Sequence, residues 1–289
     1  MKKVGLYLLL VMTLLLAACN TAATPTPAVT GGEGVEVTAE TGGETAGNLP
    51  DLEGRTISIA VENAYLPFNY IDPQSGEPSG WDYDAWREVC RLLNCVPEFK
   101  EAAWEGMIQA VADGQFDAAA DGITIREERA EIVDFSNGYM SVNQRLLTRK
   151  GETRFASIEE FVADEDLIIG TQTGTTNYET ATELLDDQRI QAFEQFPFAV
   201  QALLAGDVDA VIIDETAGQG YQGVSEDQLE MVGDPIVSDQ LGFIFPKGSD
   251  LVEPINAALA EMESNGKLAE LADSYFTDKF TLTYDDLPE

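Results

Sequence analysis

The sequence predicts an α/β fold built as two similar lobes, and three observations carry that expectation. From Arg55 onward, short β-branched or apolar runs alternate with segments of helical period, the pattern of strands and helices packed in layers. Two stretches match each other: "IQAVADGQFDA" (residues 108–118) and "VQALLAGDVDA" (residues 200–210) share Gln, Ala, Gly, Asp and Ala at corresponding places. Each copy also follows a strand and a polar turn, "IAVENAY" before the first and "IIGTQTGTTN" before the second. A single αβ unit of this kind would be ordinary; two with the same lead-in argue for two related lobes.

The chain opens with a different kind of segment. Lys2 and Lys3 precede a leucine-rich run from Val4 to Leu16, and Ala17, Ala18 and Cys19 follow. This reads as an export signal over residues 1–18, because the apolar run is shorter than the ~20 residues a membrane-spanning helix needs. The ending "LAAC" resembles a bacterial lipobox, in which the signal is cut before the cysteine, so Cys19 is expected to carry a lipid. Residues 19–50 are rich in Thr, Gly, Ala and Glu and contain no aromatic residue, which predicts a disordered tether. Its mean reach is on the order of 30 Å. The expected location is therefore extracytoplasmic, held at the cell membrane by the lipid on Cys19 alone.

Taken in order, "TISIAV" reads as a strand by its β-branched alternation. "WDYDAWREVCRLLN" reads as a helix with Ala85, Val89, Leu92 and Leu93 on its core face. Cys90 and Cys95 lie five apart; outside the cytoplasm the expectation is a disulfide, with two buried thiols as the alternative. The first matching stretch predicts a helix stopped at Gly114 and a turn into the buried strand "FDAAA". Thr124 followed by Glu127 has the spacing of a capping box, which predicts a short helix from Ile125. "NQRLLTRK" and "LGFIFPKG" are read as the strands where the chain crosses between lobes. Lobe 1 then comprises residues 51–144 and 241–289, and lobe 2 residues 145–240. Within lobe 2, "LIIGT" is a strand, "ETATELL" a helix, and the second matching stretch a helix stopped at Gly206 before the strand "VDAVII".

Composition excludes several functions. The chain holds 52 acidic and 16 basic residues, a net charge of −36. Without the signal and tether, 48 acidic and 14 basic residues remain, so the folded region is too acidic to bind nucleic acid, which needs clustered Lys and Arg. There is no histidine, the commonest general base and metal ligand. No metal site and no cofactor are expected.

Ligands of open α/β sheets bind beyond the carboxyl ends of the strands. Those positions here are Glu62 to Tyr65, Asp121 to Thr124, Gln172 to Asn177, and Asp214, four loops that would line one cleft between facing lobes. A helix start near Thr124 with an arginine beside it suits a carboxylate. Asp214 ends the apolar run "AVII" and needs a cationic or donor partner. An arginine in one lobe and an aspartate in the other match the two charges of a free amino acid.

The stretches "LPFNY", "SGWDYDAW", "GQFDAAADGITIREERAEIVDFSNGY", "GTQTGTTNYE", "GDVDAVIID" and "FPKGSDLVEPINAALAEMESNGKLAELADSYF" carry a family resemblance. From about residue 55 to 280 the chain resembles the family-3 periplasmic amino-acid-binding proteins of ABC importers. The resemblance implies the type II periplasmic-binding-protein fold, each lobe a mixed sheet flanked by helices, with the ligand cleft between lobes. It implies that Arg129 grips the ligand α-carboxylate, assisted by Gly122, Thr124 and Thr176, and that Asp214 receives the α-ammonium. Tyr65 and Trp104 would sandwich the ligand side chain, and Glu62, with Gln172 nearby, would meet its far end, favouring a basic or amide amino acid. Arg126 is read as a surface partner of the neighbouring acids. The implied activity is capture and delivery to ABC permease subunits by a monomeric, non-enzymatic receptor. The alternatives are a sensor subunit for a separate membrane receptor and a dehydratase-type enzyme on the same fold.

Overall fold

The computed structural model describes residues 49–277, 279, 280 and 282. The expected signal peptide, Cys19 and nearly all of the tether lie outside the described residues. The chain runs β1 (Arg55–Val61), β2 (Ala64–Tyr65), β3 (Asn69–Ile71), β4 (Pro78–Ser79), α1 (Trp81–Leu93), β5 (Cys95–Glu101), α2 (Met107–Ala112), β6 (Ala118–Ala119), α3 (Glu127–Ala130), β7 (Val133–Phe135) and β8 (Met140–Arg149). It continues through α4 (Ile158–Ala163), β9 (Ile169–Gln172), α5 (Thr176–Leu184), β10 (Ile190–Phe193), α6 (Phe196–Ala205), β11 (Ala210–Asp214), α7 (Glu215–Val224), β12 (Leu229–Leu241), β13 (Ile244–Pro246), α8 (Val252–Ser264) and α9 (Lys267–Tyr275). Among the described residues, no helix is long and apolar enough to cross a membrane.

Two five-stranded sheets form, ordered β5-β1-β6-β13-β7 and β10-β9-β11-β8-β12, with a small sheet β2-β3-β4 beside them. Both have the same plan. In the first, β1 pairs parallel with β5 and β6, while β13 runs antiparallel to β6 and β7. In the second, β9 pairs parallel with β10 and β11, while β8 runs antiparallel to β11 and β12. The antiparallel strand of each sheet is the first strand after the chain crosses from the other.

The matched stretches occupy equivalent places, and one aspartate in each explains why. Asp117 N–H donates to Ser58 O at 3.0 Å, while its Oδ2 accepts from Ser58 N–H at 2.9 Å. Asp209 N–H donates to Ile168 O at 2.8 Å, and its Oδ2 accepts from Ile168 N–H at 2.9 Å. Asp117 clamps β6 against β1, and Asp209 clamps β11 against the start of β9. The preceding helices stop as expected, with Gly114 at φ 72° and Gly206 at φ 86°.

Burial follows the apolar pattern. Ala85, Val89 and Leu93 of α1 are buried, and Trp81 and Trp86 join them in a core that includes Phe243 and Phe245. Fully burying side chains of this size contributes roughly 1.5–3 kcal/mol each. Cys90 and Cys95 form a disulfide across the left-handed turn at Asn94, tying the end of α1 to the start of β5. One expectation is corrected: the helix expected from Ile125 starts at Glu127, and Thr124 does not cap it. Thr124 is held extended by a bridge to Leu241, and Ile125 N–H donates to Gln240 O, so the backbone cannot begin turning there.

Candidate functional site

A cavity lies at the carboxyl ends of the parallel strands of both sheets. All nine residues singled out in the sequence line it: Glu62, Tyr65, Trp104, Gly122, Thr124 and Arg129 from the first sheet's side, and Gln172, Thr176 and Asp214 from the second's. Asp121, Thr175, Asn177 and Phe196 complete the wall. Asp121 and Asn177 fall in the loops that strand ends mark. Phe196 begins α6 and looks in sequence like an ordinary core residue.

The cationic end is built around Arg129, on α3. Its guanidinium sits 5.3 Å from the centroid of the Trp104 ring and donates from Nη1 to Thr124 O at 3.1 Å. Burial lowers its affinity for a proton, opposed by the Glu179, Asp214 and Asp239 carboxylates. Across the cavity, Asp214 caps the apolar strand β11 at 2 % exposure. Burial raises its carboxyl to about 6, although hydrogen bonds from Tyr65 and Asn177 favour the ionised form. The Tyr65 hydroxyl donates to Asp214 Oδ2 at 2.6 Å, and Asn177 Nδ2 donates to Oδ1 at 3.2 Å.

Two further contacts join the sides. Thr124 and Thr176 bring their hydroxyls to 3.3 Å. Thr175, not Thr176, caps α5 by accepting from Tyr178 N–H at 3.1 Å, so the Thr176 hydroxyl meets Thr124 at the cavity wall instead. At the far end, Gln172 Nε2 donates to both Glu62 oxygens, at 2.9 and 3.2 Å. Burial raises Glu62 to about 6 against these bonds.

The walls are aromatic. Tyr65 stacks between Phe68 and Phe196, with centroids at 5.2 and 5.5 Å. Gly122 allows this packing: its φ is +55°, and a Cβ there would meet the Tyr65 ring at 2.6 Å. Arg126, expected to pair with adjacent acids, instead approaches Asp239 of β12, Nη2 to Oδ1 at 3.4 Å. The helix starts only after Arg126, so its extended backbone directs the side chain toward β12 and away from the acids of α3. Among the described residues, no group of three or more His, Cys, Asp or Glu is placed to hold a metal ion.

Comparison with known proteins agrees with this architecture. The L-cystine-binding protein TcyJ of Escherichia coli is 25% identical over 229 residues, covering 78% of this chain and 84% of that protein. The glutamine-binding protein GlnH of a Bacillus subtilis ABC transporter is 28% identical over 262 residues, covering 89% and 90%. Among solved structures, the arginine-, lysine-, histidine-binding protein ArtJ from Geobacillus stearothermophilus superposes with TM-score 0.71 at 29% identity, covering 77% of this chain and 95% of that one. An ancestral amino acid-binding protein, a precursor of cyclohexadienyl dehydratase, gives TM-score 0.72 at 29% identity, covering 77% and 96%. The fold is the two-lobed type II periplasmic-binding-protein fold. The profile of the bacterial extracellular solute-binding proteins, family 3, matches residues 57–278, and the chain belongs to that family.

Proposed function

We propose that the protein is an extracytoplasmic receptor that captures a free amino acid between its lobes and hands it to an ABC-type permease. The observation that carries this reading is that Arg129 and Asp214 line one cavity from opposite sides. A guanidinium offers paired donors to an α-carboxylate, and a buried carboxylate with few partners suits an α-ammonium. Thr124, Thr176 and the Gly122 backbone assist the carboxylate end, and Tyr65 and Trp104 flank the ligand side chain. Glu62 and Gln172 meet its tip, which favours a basic or amide amino acid.

Because the two charged groups come from opposite sides, a ligand engages both only when the lobes approach. That difference in affinity between open and shut forms is what drives closure. The lobes comprise residues 51–144 with 241–289, and residues 145–240. The receptor acts as a monomer, needs no catalytic group, and is tethered by a lipid on Cys19 so that it stays within reach of its permease. The names of the relatives, which bind cystine, glutamine or arginine, support this substrate class.

A thermal-shift screen of the proteinogenic amino acids with ornithine and citrulline tests the reading. A ligand present at about 100 times its Kd adds about 2.7 kcal/mol of stability. Basic or amide amino acids should raise the Tm, and no shift with any of them would overturn the proposal.

A further inference from the structure

The far end of the cavity holds more acid than amino-acid capture alone uses. Glu62 and Asp121 both line it, 5 % and 4 % exposed. The Glu62 backbone N–H lies near the Asp121 carboxylate and favours its ionised form, against the larger effect of burial. Behind them, Asn69 Nδ2 donates to Asp121 Oδ1 at 2.6 Å and to Asp82 Oδ2 at 2.9 Å. Asp82 is fully buried, and its Oδ1 has no hydrogen-bond partner.

Among the described residues, no cation pairs with this group: none of the ion pairs involves Glu62, Asp82 or Asp121. The charges that act on Arg129 are those of Glu179, Arg126, Asp214 and Asp239. The other groups facing the cluster are Tyr65 on β2, Tyr83 on α1 and Tyr139 just before β8, with Asp214 at the end of β11. The tyrosines stay neutral and Asp214 is itself an acid. From the second sheet comes Gln172, whose neutral amide spans both oxygens of Glu62. A cationic N–H donor in that position would bind more strongly than an amide.

Neighbouring carboxylates buried without a cation cannot all ionise. Burial, followed by the charge of Glu62, pushes Asp121 well above the usual carboxylate range, and burial raises Asp82 to about 7.

We propose that Glu62 and Asp121 share a proton, and that the cationic tip of a ligand side chain displaces it, making Asp121 a specificity-determining residue. The exchange balances: one positive charge enters as the ligand's guanidinium or ammonium, one proton leaves to buffer base, and the pair becomes doubly ionised around the ligand. A neutral amide ligand donates to Glu62 alone and leaves the proton in place. This inference rests on the amino-acid-receptor reading.

Titration calorimetry with arginine, lysine and glutamine, near neutral pH in two buffers of different ionisation enthalpy, counts the protons. Release of about one proton per arginine or lysine is expected, and close to none for glutamine. Asp121→Asn and Asp121→Ser, each checked for a native circular dichroism spectrum, should weaken arginine about tenfold more than glutamine and remove the proton release. If both variants keep the wild-type proton count and arginine-to-glutamine ratio, Asp121 has no such role and the proposal falls. If the variants do not fold, the wild-type count decides: arginine binding without proton release overturns the shared proton. Absence of heat with every amino acid would instead overturn the receptor reading itself, so the two failures are distinguishable.

Discussion

Two arginines three residues apart have different surroundings. Arg129 is half-buried in the cavity wall, its guanidinium over the Trp104 ring, and shares the cavity with Asp214. Arg126 reaches out to Asp239 and is about a third exposed, a setting in which ion pairs contribute little, on the order of 0–1 kcal/mol. Arg129→Ala should therefore lower amino-acid affinity about a hundredfold or more, since it removes charge-assisted bonds of about 1.5–3 kcal/mol each. Arg126→Ala should leave affinity within a few fold. Calorimetry on both variants checks the assignment, and equal losses would reverse it. The family resemblance separated the two, but the partner of Arg126 was illegible, because Asp239 comes close only through the strand that returns from the second sheet.

At the level of elements, the paired stretches owe their likeness to a shared structural task. Asp117 satisfies a backbone N–H of β1 and Asp209 the Ile168 N–H just before β9, and Asp209 also faces Arg149 and Arg154 at 3.6 and 2.7 Å. Asp209→Ala leaves the Ile168 N–H without its acceptor and removes the partner of two cations. A cost of about 2–3 kcal/mol is expected by chemical denaturation, with Asp117→Ala at about 1–2 kcal/mol because among the described residues Arg55 is its one cationic partner, at 3.8 Å. A loss below about 0.5 kcal/mol in both would mean that the motif follows from helix and strand pattern alone. The repeat was readable because it fixes local geometry twice. The expected cap at Thr124 misled for the converse reason: "TxxE" is a local signal, and a bridge to Leu241, far away in sequence, overrode it.

For the whole molecule, buried acid is the dominant electrostatic fact. Glu62 and Asp214 are raised to about 6, Asp82 to about 7, and Asp121 well above the usual carboxylate range, in each case chiefly by burial. Between the unfolded values near 4 and these folded values, the native state binds more protons than the unfolded chain, so stability falls as pH rises. The Tm without ligand should drop by about 5 °C or more from pH ~4.5 to pH ~7.5 at constant salt, read by calorimetry. A rising Tm over that window would contradict the burial of these carboxylates in their charged-disfavouring sites. Binding has the opposite sign, because Asp214 must be ionised to receive an ammonium, so affinity should increase through about pH 6. The sequence alone determined the α/β class, the repeat and the strand-end loops that would gather, because strand period, glycine stops and apolar runs are properties of neighbours along the chain, while Trp104 entered through the family resemblance. Only the tertiary structure decided that Gln172 spans Glu62, that Tyr65 bonds Asp214, and that Asn69 joins Asp121 to Asp82 beside Glu62, with no ion-pair partner for the three among the described residues. Those contacts link residues up to 149 positions apart, and their distances and desolvation exist only once both sheets are packed around the cavity.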